Sequence, residues 1–118
     1  MSVRRRHQGD IAVLDIGGRF FGDRETDDLE KVLEGEAARG TRRVLLNLYD
    51  CSMMNSTALG VMFRAKQKLE SVGAEVRLCG LGSRMQSLLV VTRLMEWFTV
   101  HDTEKEAIEA FTNARAGA

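Results

Sequence analysis

The stretch Leu45-Leu46-Asn47-Leu48-Tyr49-Asp50-Cys51-Ser52-Met53-Met54-Asn55-Ser56-Thr57-Ala58-Leu59-Gly60-Val61 decides the fold. It begins inside an apolar run, Val44-Leu45-Leu46, within residues 43–48. Runs without polar alternation suit strands covered on both faces, and so a parallel sheet with helices on each side. The stretch ends by opening a helix over residues 56–72. Leu59, Met62, Phe63, Leu69 and Val72 form one stripe there, interrupted only by Lys66. Asn55 and Ser56 are both good helix N-caps, and Thr57 is an acceptable one. Loops at the carboxyl ends of parallel strands are where such sheets gather ligands and partners. The residues alone leave two readings: a capped helix and nothing more, or hydroxyls presented at a functional edge.

Working outward, residues 11–16 form a short apolar strand that should turn at Gly17-Gly18. Residues 3–7 read as a preceding edge strand with its arginines facing water. Leu29, Val32, Leu33, Glu36 and Ala37 have helical spacing within residues 26–39, with Asp23 or Thr26 as cap and Gly40 as stop. Beyond the Gly73 stop lie a strand at residues 75–79 and a helix at residues 83–92 with Met85, Leu88 and Leu89 facing inward. A last strand at residues 97–100 follows. Asp102 or Thr103 then caps a final helix carrying Ala107, Ile108, Phe111 and Ala114. Strands alternating with helices predict an α/β fold: a mainly parallel or mixed sheet of about five strands with about four helices.

Composition narrows the function. The 118 residues suit one domain spanning 1–118. Seventeen basic residues balance seventeen acidic ones, which argues against bulk attraction to nucleic acid or to an anionic membrane. No apolar run approaches the ~20 residues of a membrane span, and the start lacks the apolar stretch of a signal peptide. A cytoplasmic location is expected. Cys51 and Cys79 read as packed, reduced thiols, with a regulatory disulfide as the sharper alternative.

The segment Asn55-Ser56-Thr57-Ala58-Leu59-Gly60 after an apolar strand resembles the Asp-Ser-Ser/Thr-Gly-Leu-Gly signature of STAS-domain anti-sigma factor antagonists. The layout agrees further on, through Gly73, Val76-Arg77-Leu78, Gly80-Leu81, Ser83-Arg84-Met85 and Leu94-Met95-Glu96-Trp97-Phe98. The resemblance implies a STAS-like fold and a regulatory binding module, not an enzyme. It implies Ser56 as phosphoacceptor, Thr57 as secondary acceptor, and Asn55 as cap and contact residue. The implied partners are an anti-sigma factor that is also a serine kinase, and a metal-dependent serine phosphatase. ATP and metal would belong to those partners, so no cofactor or metal is expected on this chain. A homodimer is left open.

Three departures from the family pattern stand out. The family's Asp is Asn55, which keeps the cap but loses a charge. Its Gly is Ala58, which adds a methyl group near the hydroxyl. In the loop Gly17-Gly18-Arg19-Phe20-Phe21-Gly22-Asp23 the acid comes only at Asp23, after two phenylalanines. Phe21 and Asp23 join Asn55, Ser56, Thr57 and Ala58 as expected partner contacts. The competing expectation puts the phenylalanines in the core.

Other features have simpler readings. Gly80-Leu81-Gly82 lacks the rest of a dinucleotide fingerprint and reads as a tight turn. His7 and His101 have no metal-type companions. Arg64 and Lys68 read as the wet face of the Ser56 helix, bordering the partner surface. Two rival functions stay open: an unphosphorylated STAS scaffold or subunit of a sensory or lipid-transport assembly, and a small enzyme with a pocket at the strand ends.

Overall fold

A computed structural model describes residues 2–116, and the side chains of residues 3–113. Strand β1 (Ser2–Gln8) and strand β2 (Ile11–Phe20) form an antiparallel hairpin. Its two-residue loop places Gly9 at φ +64°, a left-handed conformation that glycine adopts without a Cβ penalty. Helix α1 (Arg24–Arg39) leads to β3 (Arg43–Asn47), which pairs parallel with β2. Then follow β4 (Cys51–Met54), α2 (Ser56–Ser71), β5 (Glu75–Cys79), α3 (Ser83–Val91), a 3-10 turn (Leu94–Glu96), β6 (Thr99–His101) and α4 (Glu104–Ala116). The sheet order is β1-β2-β3-β5-β6, with β4 on the far end of β2.

The mixed α/β fold with four helices agrees with expectation. The sheet has six strands, not five, because β2 runs further than expected. Gly17-Gly18 is not a turn. Gly18, at φ +102°, sits where the register shifts and β2 exchanges its partner β3 for β4. A glycine inside a strand relaxes the backbone at such a bulge. The last strand also moves. It is Thr99–His101, because Trp97 ends the 3-10 turn, stays largely exposed and stands edge-on to Phe63 at 5.8 Å.

Strand alternation sorts the core into two. Leu14, Ile16, Val44, Leu46, Val76 and Leu78 pack with Leu29 and Leu33 of α1, Leu59 and Met62 of α2, and Met85 and Leu89 of α3. Ile11, Val13, Leu45 and Cys79 pack with Ala107 and Phe111 of α4. Helices on both faces therefore explain the unbroken apolar run of β3. The side chain of Ala114, expected to face inward, lies outside the described residues. Thr103 caps α4, its Oγ1 accepting from the Glu106 N–H at 3.1 Å.

Lys66, the break in the α2 stripe, is buried with its Nζ 2.8 Å from Glu70 and 5.4 Å from the Phe98 ring centroid. Its stem packs while its charge meets a carboxylate and an aromatic face.

The arginines of β1 correct a second expectation. Only Arg4 is largely exposed, and its guanidinium still stands 3.3 Å from Asp15. Arg5 reaches the buried Glu36 of α1, and Arg6 bridges Asp15 and Glu104. A seven-residue edge strand is thereby tied by charge to both layers.

Both cysteines are free and buried, and they fall in separate core clusters, Cys51 with the three-helix layer and Cys79 with α4. Burial pushes the Cys51 thiol up to about 11. Burial, then the Glu104 and Asp15 carboxylates, push Cys79 up to about 12. Neither is a nucleophile at neutral pH.

Candidate functional site

β4 exists because β2 continues. Its parallel pairing with β2, Arg19 against Met53 and Phe20 against Met54, delivers the chain to the start of α2 at a fixed height. The Asn55 N–H then donates to the Phe20 carbonyl at 2.9 Å, locking the helix entry to the end of β2. Asn55 is extended, at φ −83° and ψ −179°, and its Oδ1 accepts from the Ala58 N–H at 3.0 Å. This is a side-chain N-cap, and it satisfies one of the free donors of the first turn. The Asn55 carbonyl begins the helical ladder, accepting from Leu59 N–H at 2.9 Å.

That geometry divides the first turn. Ala58 and Leu59 point into the core, while Ser56 and Thr57 are exposed. Among the described residues neither hydroxyl has a hydrogen-bond partner. The first turn holds no acidic residue of its own to offset the positive end of the helix dipole. Ala58 corrects an expectation. Its methyl is wholly buried among the core residues, so it shapes the turn and offers a partner no side-chain surface.

The loop after β2 forms the other half of the site. A Cβ on Gly22 would lie 3.0 Å from both Cβ and Cγ2 of Thr57, so this glycine is in close contact with the α2 entry. Its φ of +81° is left-handed as well. The Gly22 N–H donates to the Thr26 Oγ1 at 2.9 Å, which anchors the loop to the first turn of α1. Asp23 occupies the N-cap position of α1 but makes no side-chain cap hydrogen bond, and its side chain is exposed. The two phenylalanines part company. Phe20 is fully buried, whereas Phe21 is 47% exposed. Phe21, Asp23, Asn55, Ser56 and Thr57 are thus brought to adjoining loops. The close packing of Gly22 on Thr57 is not visible in the sequence, where its only local trace is a glycine between Phe21 and Asp23.

A separate cleft of about 430 Å³ lies at the carboxyl ends of the strands, lined by Arg4, Arg6, Asp15, Asn47, Tyr49 and Asp50 among others. Its charged and amide groups on β1, β2 and β3 are engaged with one another or with Glu104. Arg6 binds Asp15 and Glu104, holding the Asp15 carboxyl below the usual range. Asn47 donates to Asp15 and Glu104 at 3.2 Å each and accepts from the Tyr49 N–H at 3.0 Å. Among the described residues no group of His, Cys, Asp and Glu is arranged to hold a metal ion, and no helix is long and apolar enough to cross a membrane.

The fold is thus a six-stranded mixed sheet with helices on both faces and two exposed hydroxyls at the start of the helix after β4. The STAS domain family model matches residues 2–107. The anti-sigma-B factor antagonist of Staphylococcus aureus is 32% identical over 80 residues, covering 67% of this chain and 74% of that protein. Among solved structures, an anti-sigma factor antagonist from Mycobacterium paratuberculosis superposes with a TM-score of 0.81 at 17% identity, covering 92% of each chain. The phosphorylated form of SpoIIAA, a Bacillus cell fate determinant, superposes with a TM-score of 0.72 at 18% identity, covering 93% of this chain and 99% of that one. The chain belongs to the STAS domain family.

Proposed function

We propose that this protein is an anti-sigma factor antagonist that binds an anti-sigma factor through the Asn55-Ser56-Thr57 turn, and that phosphorylation of Ser56 ends the binding. One observation carries the reading: the Asn55 cap holds Ser56 exposed and unbonded at the first helical position, next to Thr57, which packs on Gly22 between the exposed Phe21 and Asp23. The names of relatives such as the Staphylococcus aureus protein support the antagonist role, and a phosphorylated SpoIIAA supports the switch.

In the proposed switch the partner is also the kinase. The Ser56 Oγ bonds to the γ-phosphorus of the partner's ATP, the bond to the bridging oxygen breaks, ADP leaves, and the hydroxyl proton passes to solvent. A metal-dependent phosphatase reverses this: water bonds to the phosphorus, the Oγ–P bond breaks, inorganic phosphate leaves and the Ser56 hydroxyl regains a proton. The modification adds about −1.5 to −2 charges at a helix N-terminus. The dipole and free N–H groups favour an anion there, so the fold is kept. The partner surface is not, because a dianion is costly to desolvate.

The experiment is intact-mass measurement and phosphate mapping on protein from its native cells, with capture of the anti-sigma factor by wild type, Ser56→Ala and Ser56→Asp. Phosphate on Ser56, wild-type capture by Ser56→Ala and roughly hundred-fold weaker capture by Ser56→Asp are expected, a loss of about 2.7 kcal/mol. Absence of phosphate together with wild-type binding by Ser56→Asp sinks the switch. It would favour the unphosphorylated scaffold, a reading that the uncharged Asn55 supports.

A further inference from the structure

We propose that Arg64 is the phosphate-reading residue of this chain: its guanidinium pairs with phosphoserine at position 56 across the gap left by Gly60. The proposal rests on Ser56 as the phosphoacceptor and adds a device specific to these residues. Positions 56, 60 and 64 stand four apart on α2, so they share one face, each about 5–6 Å from the next. Gly60 leaves that face bare. A Cβ there would lie 3.2 Å from Nη1 of Arg64, so the arginine lies back along the helix over the glycine. Helical side chains lean toward the N-terminus, which is the direction of Ser56.

Two further observations point the same way. Among the described residues Arg64 makes no hydrogen bond or ion pair, so its charge is uncommitted. The first turn of α2 holds no acidic residue to compete for it. Charges also approach from neighbouring positions. Lys68 stands one turn beyond Arg64, and Asp23 follows the Gly22 that touches Thr57. Asp23 repels a phosphate and Lys68 is two turns further than Gly60, which leaves Arg64 as the near cation on this face.

A phosphoryl group on Ser56 would then be held from two sides. Backbone N–H groups of the first turn meet it from one side, and the guanidinium fork from the other. The phosphate lies down along α2, and the same event consumes the free cation of Arg64. The partner surface thus gains a dianion and loses a positive charge together.

The test installs phosphoserine at position 56 by genetic encoding, so it does not depend on whether a cellular kinase modifies the chain. The second ionisation of the phosphate is followed by phosphorus NMR in the otherwise unaltered chain, in Arg64→Gln and in Lys68→Gln. The helix terminus and Asp23 act equally in all three, so the difference isolates the side chain. Arg64→Gln should raise the midpoint by about half a pH unit, an exposed-pair effect, and the gap should close near 1 M salt. Lys68→Gln should leave it in place. The Nε–H resonance of Arg64 should move between the serine and phosphoserine proteins. Equal midpoints with and without the Arg64→Gln change, or an unmoved resonance, overturn the pairing. A shift in this titration alongside phosphate-free protein from native cells would instead overturn the physiological role of Ser56 and leave the pairing standing.

Discussion

Gly22 shows how one atom governs the site. It needs φ +81°, and it leaves 3.0 Å for a Cβ against Thr57. Gly22→Ala is therefore strained twice, by backbone and by contact. The neighbour is the branched Cβ of a helical threonine, which has little freedom to retreat. The expected cost is about 1–3 kcal/mol, measured as a shift of the urea midpoint. The double variant with Thr57→Ser loses the Cγ2 contact and should recover part of that cost. No recovery would show that φ alone sets it. At the same scale Phe20 and Phe21 were indistinguishable in sequence. Strand alternation separates them only once β2 is known to reach Phe20, and then one must point in and the other out.

Helix α2 concentrates the local chemistry. The cap by Asn55 was legible, because Asn before an apolar periodic run has few other uses. Removing it is predicted to act locally. Asn55→Ala loses the bond to the Ala58 N–H and should cost about 1 kcal/mol. Asn55→Asp should keep the bond, since either side chain offers an oxygen acceptor, and the anion is favoured by the dipole. Hydrogen exchange at the Ala58 amide checks this: faster in Asn55→Ala, unchanged or slower in Asn55→Asp. An Ala58 amide indifferent to both changes would mean that the cap contributes nothing. The helices and the four longer strands were readable from period and punctuation. β4 was not. Four residues give no period, and Cys51-Ser52-Met53-Met54 becomes a strand only through its distant partners Gly18, Arg19 and Phe20. Lys66 was visible as an anomaly, but its resolution by Glu70 and Phe98 is partly tertiary.

At the scale of the whole molecule, the ion pairs that tie β1 to both layers set how the protein responds to acid. Arg5 meets Glu36 on the α1 face, and Arg6 meets Asp15 and Glu104 on the α4 face. Sequence placed these arginines on a wet edge because their partners lie between 9 and 98 residues away. Burial opposes the Glu36 carboxylate, but the hydrogen bonds from Arg5 and Thr41 outweigh it and hold its pKa below the usual value. The hydrogen bond from Arg6 does the same for Asp15. A carboxylate whose folded pKa is depressed contributes stability above its unfolded pKa and loses it as pH falls through the folded one. Stability should accordingly be level near neutrality and fall on the acid side of about pH 4. Glu36→Gln separates this effect from general acid denaturation. The amide keeps an oxygen for Thr41 but leaves Arg5 without a charged partner, at a cost of about 1–3 kcal/mol at neutral pH. Because protonation brings the wild type to the same uncharged condition, the two proteins should converge as pH falls through the depressed folded pKa of Glu36. Urea titrations of both at neutral and acid pH measure the gap. A gap that stays constant would assign the cost to packing of the amide, and the clamp between β1 and α1 would then owe nothing to charge.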